Sequence, residues 1–168
     1  GFLAYHRQVC ERYGQKVILS TGMASMSEVA AAVEVLGIDN LAYLLHCTTA
    51  YPCPPSAVNL EAIRTIQDWS YLIDVGFSDH TGSIAIPAAA VALGARCIEK
   101  HFTDDRSRPG PDHKVAIEPY QFAIMVEGIR EVEQAMSGSG EKVQLEAEAA
   151  MSKYRVVGKH DPDDLHSA

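Results

Sequence analysis

Val75-Gly-Phe-Ser-Asp-His80-Thr81 is followed, one helix later, by Ile98-Glu-Lys-His101-Phe-Thr103 and then by Arg108-Pro-Gly-Pro-Asp112-His113. The first two segments read as apolar strands that stop abruptly in side chains able to bind a metal or a phosphate. Side chains alternate between the faces of a strand, so Ser78 and His80 share a face, as do Glu99 and His101. If the strands are parallel neighbours, two imidazoles and a carboxylate meet at one end of a sheet. A single strand-end histidine most often satisfies a backbone group. Two of them, each preceded on its own face by a polar residue, point to metal ligation.

Working outward, the same strand–helix alternation recurs. Residues 2–13 carry a helical stripe of Phe2, Tyr5, Val9 and Tyr13, with Gly14 as the stop. Val17–Leu19 is a short buried strand ending in Ser20-Thr21-Gly22. Ser25 and Glu28 form a capping box for a helix that runs to Leu36 and stops at Gly37. Leu41–Leu45 is a second strand, ending in His46-Cys-Thr-Thr49. The loop Tyr51-Pro-Cys-Pro-Pro55 continues neither helix nor central strand. Asn59 is placed to cap a helix bearing Leu60, Ile63 and Ile66. The third strand spans Leu72–Phe77, and an alanine-rich helix covers 84–93 with Pro87 near its first turn. The fourth strand covers Arg96–Lys100. Phe122, Met125, Val126, Ile129 and Val132 mark a last amphipathic helix, broken at Ser137-Gly-Ser-Gly140. The remainder, 138–168, shows no clear periodicity and reads as a linker or tail.

Near-continuous apolar strands alternating with helices define an α/β fold with a parallel sheet. An open doubly wound sheet gathers its chemistry at one switch point. Here all four strand ends carry candidates: Ser20, His46 to Thr49, Ser78 to His80, and Glu99 to His101. That distribution favours a TIM-type (β/α) barrel, of which about four units, half of the usual eight, are present. The chain is 168 residues long, enough for one core, and opens at Gly1 inside a helical pattern, so a true start upstream is expected.

Composition narrows the partners. A formal net charge of −8 argues against nucleic acid or an anionic membrane, so any anion must be held by a local site. No apolar run is long enough to span a bilayer, and no signal peptide is apparent. Cys10, Cys47, Cys53 and Cys97 lack paired metal-ligand spacing and read as reduced thiols of a cytoplasmic protein. Cys47 and Cys53 flank one loop and are candidates for redox sensitivity.

Taken in order, Val17-Ile-Leu-Ser-Thr-Gly-Met23, Leu44-Leu-His-Cys-Thr-Thr-Ala-Tyr-Pro52, Gly76-Phe-Ser-Asp-His-Thr81, Val91-Ala-Leu-Gly-Ala95, Ile98-Glu-Lys-His-Phe-Thr103 and Pro109-Gly-Pro-Asp112 resemble the second half of the catalytic barrel of the N-acetylneuraminate (sialic acid) synthases. The likeness extends to legionaminic, pseudaminic and spore-coat polysaccharide synthases and covers residues 15–136. It implies metal-assisted condensation of phosphoenolpyruvate with an N-acetylated amino sugar aldehyde, giving a nine-carbon 2-keto acid and phosphate. The metal implied is Mn2+ or Mg2+, with His80 and His101 as its ligands. Ser20, Thr49 and Ser78 fall where the family binds phosphoenolpyruvate, although many members carry Ser or Asn in place of Thr49. Tyr51 and Asp112 match positions facing the sugar, and Glu99 and Asp112 are the catalytic candidates. His46 reads as a core histidine, and Asp79 and Lys100 as a structural ion pair.

The resemblance also implies a homodimer in a full-length parent. The first four strands, and the small antifreeze-like domain that follows the barrel in the family, are not found here, so this segment alone is expected to be inactive. Met151-Ser-Lys-Tyr-Arg155 only loosely matches a basic motif at the barrel's end. Two other readings stand beside this one: a metal-binding half-barrel that serves as an assembly module, and a metal-dependent barrel aldolase.

Overall fold

The computed structural model describes residues 1–155. Four strands, β1 (Val17–Ser20), β2 (Leu41–Cys47), β3 (Val75–Asp79) and β4 (Ile98–Lys100), form one sheet in the order β1-β2-β3-β4, and every pair is parallel. Spatial order therefore follows chain order without the reversal that marks a doubly wound sheet, as a barrel wall requires. Helices α1 (Phe2–Tyr13), α2 (Met26–Leu36), α3 (Ala62–Trp69), α4 (Ile86–Ala92) and α5 (Pro119–Ala135) alternate with the strands.

Alternation along the strands separates a core face from a site face. Val17, Leu19, Leu44, Val75, Phe77 and Ile98 pack with Val29, Val33, Leu36, Ile63, Ile66 and Ala90 of the helices into one apolar cluster. Full burial of a Val, Leu, Ile or Phe in this cluster contributes about 1.5–3 kcal/mol. Met125 and Ile129 of α5 join Ile117 in a smaller cluster. The opposite face carries Ile18, Ser20, Gly76, Ser78 and Glu99, and Ile18 on it is 50% exposed. Leu45 lies on that face yet is fully buried, because Gly76 leaves room for it: a Cβ on Gly76 would stand 2.4 Å from a Leu45 methyl.

Several sequence expectations need correction. Phe2, Tyr5 and Tyr13 of α1 are exposed, and the helix instead buries Cys10 and turns Leu3 to the core. Asn59 does not cap α3; it sits in the left-handed region at φ 51°, and the helix begins at Ala62 without a side-chain cap. The third strand starts at Val75, because Ser70 and Ile73 close a turn that leaves Tyr71 and Leu72 in solvent. Helix α4 starts later than its alanines suggest, since Ser83 Oγ accepts from the amides of Ala85 and Ile86.

The described residues from 138 to 155 belong to a unit separate from Gly1–Ser137. Within it Glu146–Tyr154 winds as 3-10 helix, where the sequence suggested a featureless tail; the rest of that expectation, 156–168, lies outside the described residues.

Candidate active site at the carboxyl ends of the strands

The site is built on one rung. Cys47, Ser78 and Glu99 are register partners across β2, β3 and β4, and all three point away from the helices. Ser78 Oγ donates to Glu99 Oε1 at 2.8 Å, which fixes the carboxylate and leaves its second oxygen free. His80 and His101 follow immediately after the strand ends, with ring centroids 5.2 Å apart. Tyr51, from the Pro-rich loop after β2, lays its ring 4.3 Å from His80 and 5.6 Å from His101. The sequence brings Ser78, His80, Glu99 and His101 together as the strand alternation required.

His80 Nδ1 lies 2.9 Å from the Thr48 carbonyl oxygen, an acceptor only, so Nδ1 carries the proton and the Nε2 lone pair is free. This is how a metal-binding imidazole is commonly held, one nitrogen tied to the protein and the other presented to the ion. Burial first, then the negative charges of Cys47, Asp112 and Glu99, push the Tyr51 phenol above its ordinary range. Tyr51 is therefore a hydroxyl donor, and Asp112 is close enough to influence it. Asp112 itself is exposed, on the turn after Pro-Gly-Pro, with its carbonyl accepting from Val115 and Ala116.

Thr49 and Ser20 stand on the rim of the same end. Thr49 Oγ1 occupies the space a side chain on Gly22 would fill, 2.1 Å from the position of a Cβ there. Ser20 ends β1, exposed and two strands away from Ser78. His46 points to the other face, where Nε2 donates to the Val58 carbonyl at 2.7 Å, a core role. Asp79 and Lys100 also face the helices and form a buried ion pair.

Three participants escaped the sequence reading. Cys47 places Sγ 3.8 Å from His80 Nδ1, the Thr48 carbonyl orients the ring, and Gly22 admits Thr49. A fourth is the link between His113 Nδ1 and Thr103 Oγ1, 2.7 Å, which fastens the Asp112 turn to the end of β4.

The donor set suits a divalent ion. Bonds of about 2 Å put the centres of two rings sharing one ion roughly 5 Å apart, the spacing seen. Among the described residues, no group of three or more His, Cys, Asp or Glu converges in metal-ligating geometry. Were such an ion bound there, His80 and His101 would be two of its ligands.

Comparison with known proteins agrees with the fold. The sequence profile of the NeuB family matches residues 3–142. The N,N'-diacetyllegionaminic acid synthase of Campylobacter jejuni is 44% identical over 161 residues, covering 94% of this chain and 47% of that protein. Human N-acetylneuraminate-9-phosphate synthase is 38% identical over 141 residues, 83% of this chain and 39% of that one. Among solved structures, the N-acetylneuraminic acid (sialic acid) synthetase of Leptospira borgpetersenii in complex with citrate superposes with a TM-score of 0.77 at 35% identity, over 92% of this chain and 52% of that chain. The chain thus spans less than half the length of these curated relatives, and its four parallel strands are half of a (β/α) barrel.

Proposed function

This chain belongs to the NeuB family, and from that premise we propose that it supplies the metal-binding half of a barrel that condenses phosphoenolpyruvate with the open aldehyde of an N-acetylated amino sugar. The products are a nine-carbon 2-keto acid of the sialic acid type and phosphate. The observation that carries this reading is the pair His80–His101, with ring centroids 5.2 Å apart and His80 Nδ1 bonded to the Thr48 carbonyl.

A divalent cation, Mn2+ or Mg2+, held by these two imidazoles would supply Lewis acidity toward the aldehyde oxygen. The remaining roles fall to side chains. Hydroxyls of Ser20 and Thr49 donate to the anionic groups of phosphoenolpyruvate, where small donors avoid crowding a multiply charged substrate, while the single O–H of Ser78 is held by Glu99. Tyr51 donates to the sugar and Asp112 accepts from its hydroxyls. The alkene carbon forms the new bond to the aldehyde carbon, and the carbonyl oxygen gains a proton. Water adds at the carbon bearing the phosphate ester oxygen, and phosphate leaves from it. Glu99, fixed by Ser78, is positioned to orient that water and accept its proton. We place the reaction in the cytoplasm, with a homodimer as the working form of the full-length parent.

The test is phosphate release by this chain joined to the remaining strands of a barrel, with phosphoenolpyruvate, metal and a panel of N-acetylated amino sugars. Metal-dependent release that requires both substrates supports the reading. Turnover of pyruvate without phosphate release would overturn it in favour of an aldolase. The panel also decides between sugars of the kinds used by the differently named relatives.

A further inference from the structure

The ion pair Asp79–Lys100 lies on the helix side of the sheet, outside the chemistry above, and the reading just proposed gives it no task. Lys100 Nζ stands 2.6 Å from Asp79 Oδ2, and the two side chains are 1% and 0% exposed. A buried pair of this kind seldom adds net stability, because the cost of stripping water from two charges offsets their attraction. Apolar residues of similar size would fill the space as well. Its presence calls for another account.

Its position supplies one. Asp79 and Lys100 are register partners on the last rung of the β3–β4 ladder. Both strands end there, so His80 and His101 are the first residues on each side without a ladder bond between β3 and β4. Lys100 Nζ also donates to the carbonyls of Thr81 and Ser83. Asp79 in turn accepts from the Thr81 amide at 2.8 Å and from its hydroxyl at 3.2 Å. His80 is therefore bracketed by residues 79 and 81, both tied to Lys100, while His101 follows Lys100 directly in the chain.

We propose that Asp79 and Lys100 are positioning residues: a buried clamp that sets the separation of the two imidazoles and so the affinity of the site for its divalent ion. The proposal rests on the metal reading of His80 and His101. The clamp touches neither ion nor substrate and acts through the backbone of the strand ends. Hydrogen-bonded groups behind metal ligands typically contribute 10–100-fold to metal affinity.

The experiment is Co2+ titration of the purified chain, followed by visible absorption, in a double-mutant cycle. Lys100→Met alone strands the Asp79 carboxylate and endangers the fold. The working variant is therefore Asp79→Asn/Lys100→Met, which removes both charges and keeps an acceptor for the Thr81 amide. Far-UV circular dichroism and a cooperative thermal transition establish that it folds. The expected result is a Co2+ affinity lowered by roughly 10–100-fold with an altered visible spectrum. In a His101→Ala background, where no separation remains to be set, the same substitutions are expected to cost no further affinity. A folded double variant that binds Co2+ as tightly as the native chain overturns the proposal, and so does an equal loss in the His101→Ala background. A native chain that binds no Co2+ removes the metal reading, and the clamp with it, a result distinct from either of those.

Discussion

A histidine binds a metal through one nitrogen, so what the other nitrogen touches decides whether the ring is ready. His80 meets that condition through the Thr48 carbonyl; His46, only one strand away, spends its Nε2 on Val58 and does not. Replacing His80 or His101 by Ala in the completed barrel should abolish metal-stimulated phosphate release while leaving the circular dichroism spectrum largely unchanged, since loss of a Lewis acid forfeits several kcal/mol of barrier lowering. Wild-type turnover by the double variant after chelation would show the assignment to be wrong. Gly22→Ala tests a different part of the site. Its Cβ would collide with Thr49 Oγ1, so phosphoenolpyruvate should bind at least about tenfold more weakly, a loss near the 1.4 kcal/mol of one decade. Co2+ affinity, read separately, should stay as it was. At this scale the sequence disclosed Ser78, His80, Glu99 and His101, because period-two alternation alone puts them on one face. It could not disclose Thr48, whose contribution is a main-chain carbonyl with no residue signature. Cys47 read only as a loop-flanking thiol, because nothing in its own strand places it beside His80 on the next one.

Elements were legible where a local chemical signal fixes an end and blurred where a distant contact does. The capping box of α2 is the clear case: Ser25 Oγ accepts from the Glu28 amide at 3.4 Å, and Glu28 Oε2 accepts from the Ser25 amide at 2.8 Å. The Ser25 amide and then the Ser25 hydroxyl hold the Glu28 carboxyl below its ordinary range. A depressed folded value means that this contribution is present above the unfolded pKa and is lost as pH falls through the folded one. Independently of that titration, Ser25→Ala removes the N-cap acceptor and should cost about 1 kcal/mol. Glu28→Gln should flatten the acid side of the stability profile, as read by urea unfolding between pH 7 and pH 3. The start of β3 shows the opposite situation. Leu72 and Ile73 looked like strand, but pairing begins only where Val75 meets Leu44, a register that depends on a strand some thirty residues earlier. At Gly76 only the neighbouring strands reveal that Leu45 and the Cys97 carbonyl press on the position, at 2.4 and 2.6 Å from a notional Cβ. Gly76→Ala should destabilise by about 1–3 kcal/mol, the usual cost of overpacking, measured as a lowered urea midpoint with an unchanged slope.

On the scale of the whole molecule, the half-barrel within residues 1–137 covers one face of its sheet and leaves Ile18, Ser20 and Glu99 of the other exposed. In the Leptospira synthetase, of which this chain matches 52%, further chain is available to complete a barrel. The outer edge of β1, Val17–Ser20, pairs with no strand among the described residues. The edge at β4, Ile98–Lys100, is shorter than the strand 96–100 expected from sequence. Past Lys100 the chain folds back, so that the Ile117 amide donates to His101 and the Thr103 amide to Ile117. One full strand edge and a half-exposed Ile18 beside it remain, and an unpaired edge is a template for another chain. The 168-residue chain, purified alone, should therefore self-associate rather than run as a single monomer. Its net charge of −8 opposes that association, and salt screens the repulsion, so the fraction associated should rise between low and 0.5 M salt. Sedimentation velocity across that range checks both statements. Joining the chain to the complementary strands of a relative's barrel should remove the edge-driven, salt-promoted association by covering β1 and leave at most the homodimer proposed for the parent. A sharp monomer boundary at every salt concentration, with cooperative unfolding, would mean that the open face is satisfied within the chain, and the β1 edge would no longer be a surface awaiting a partner.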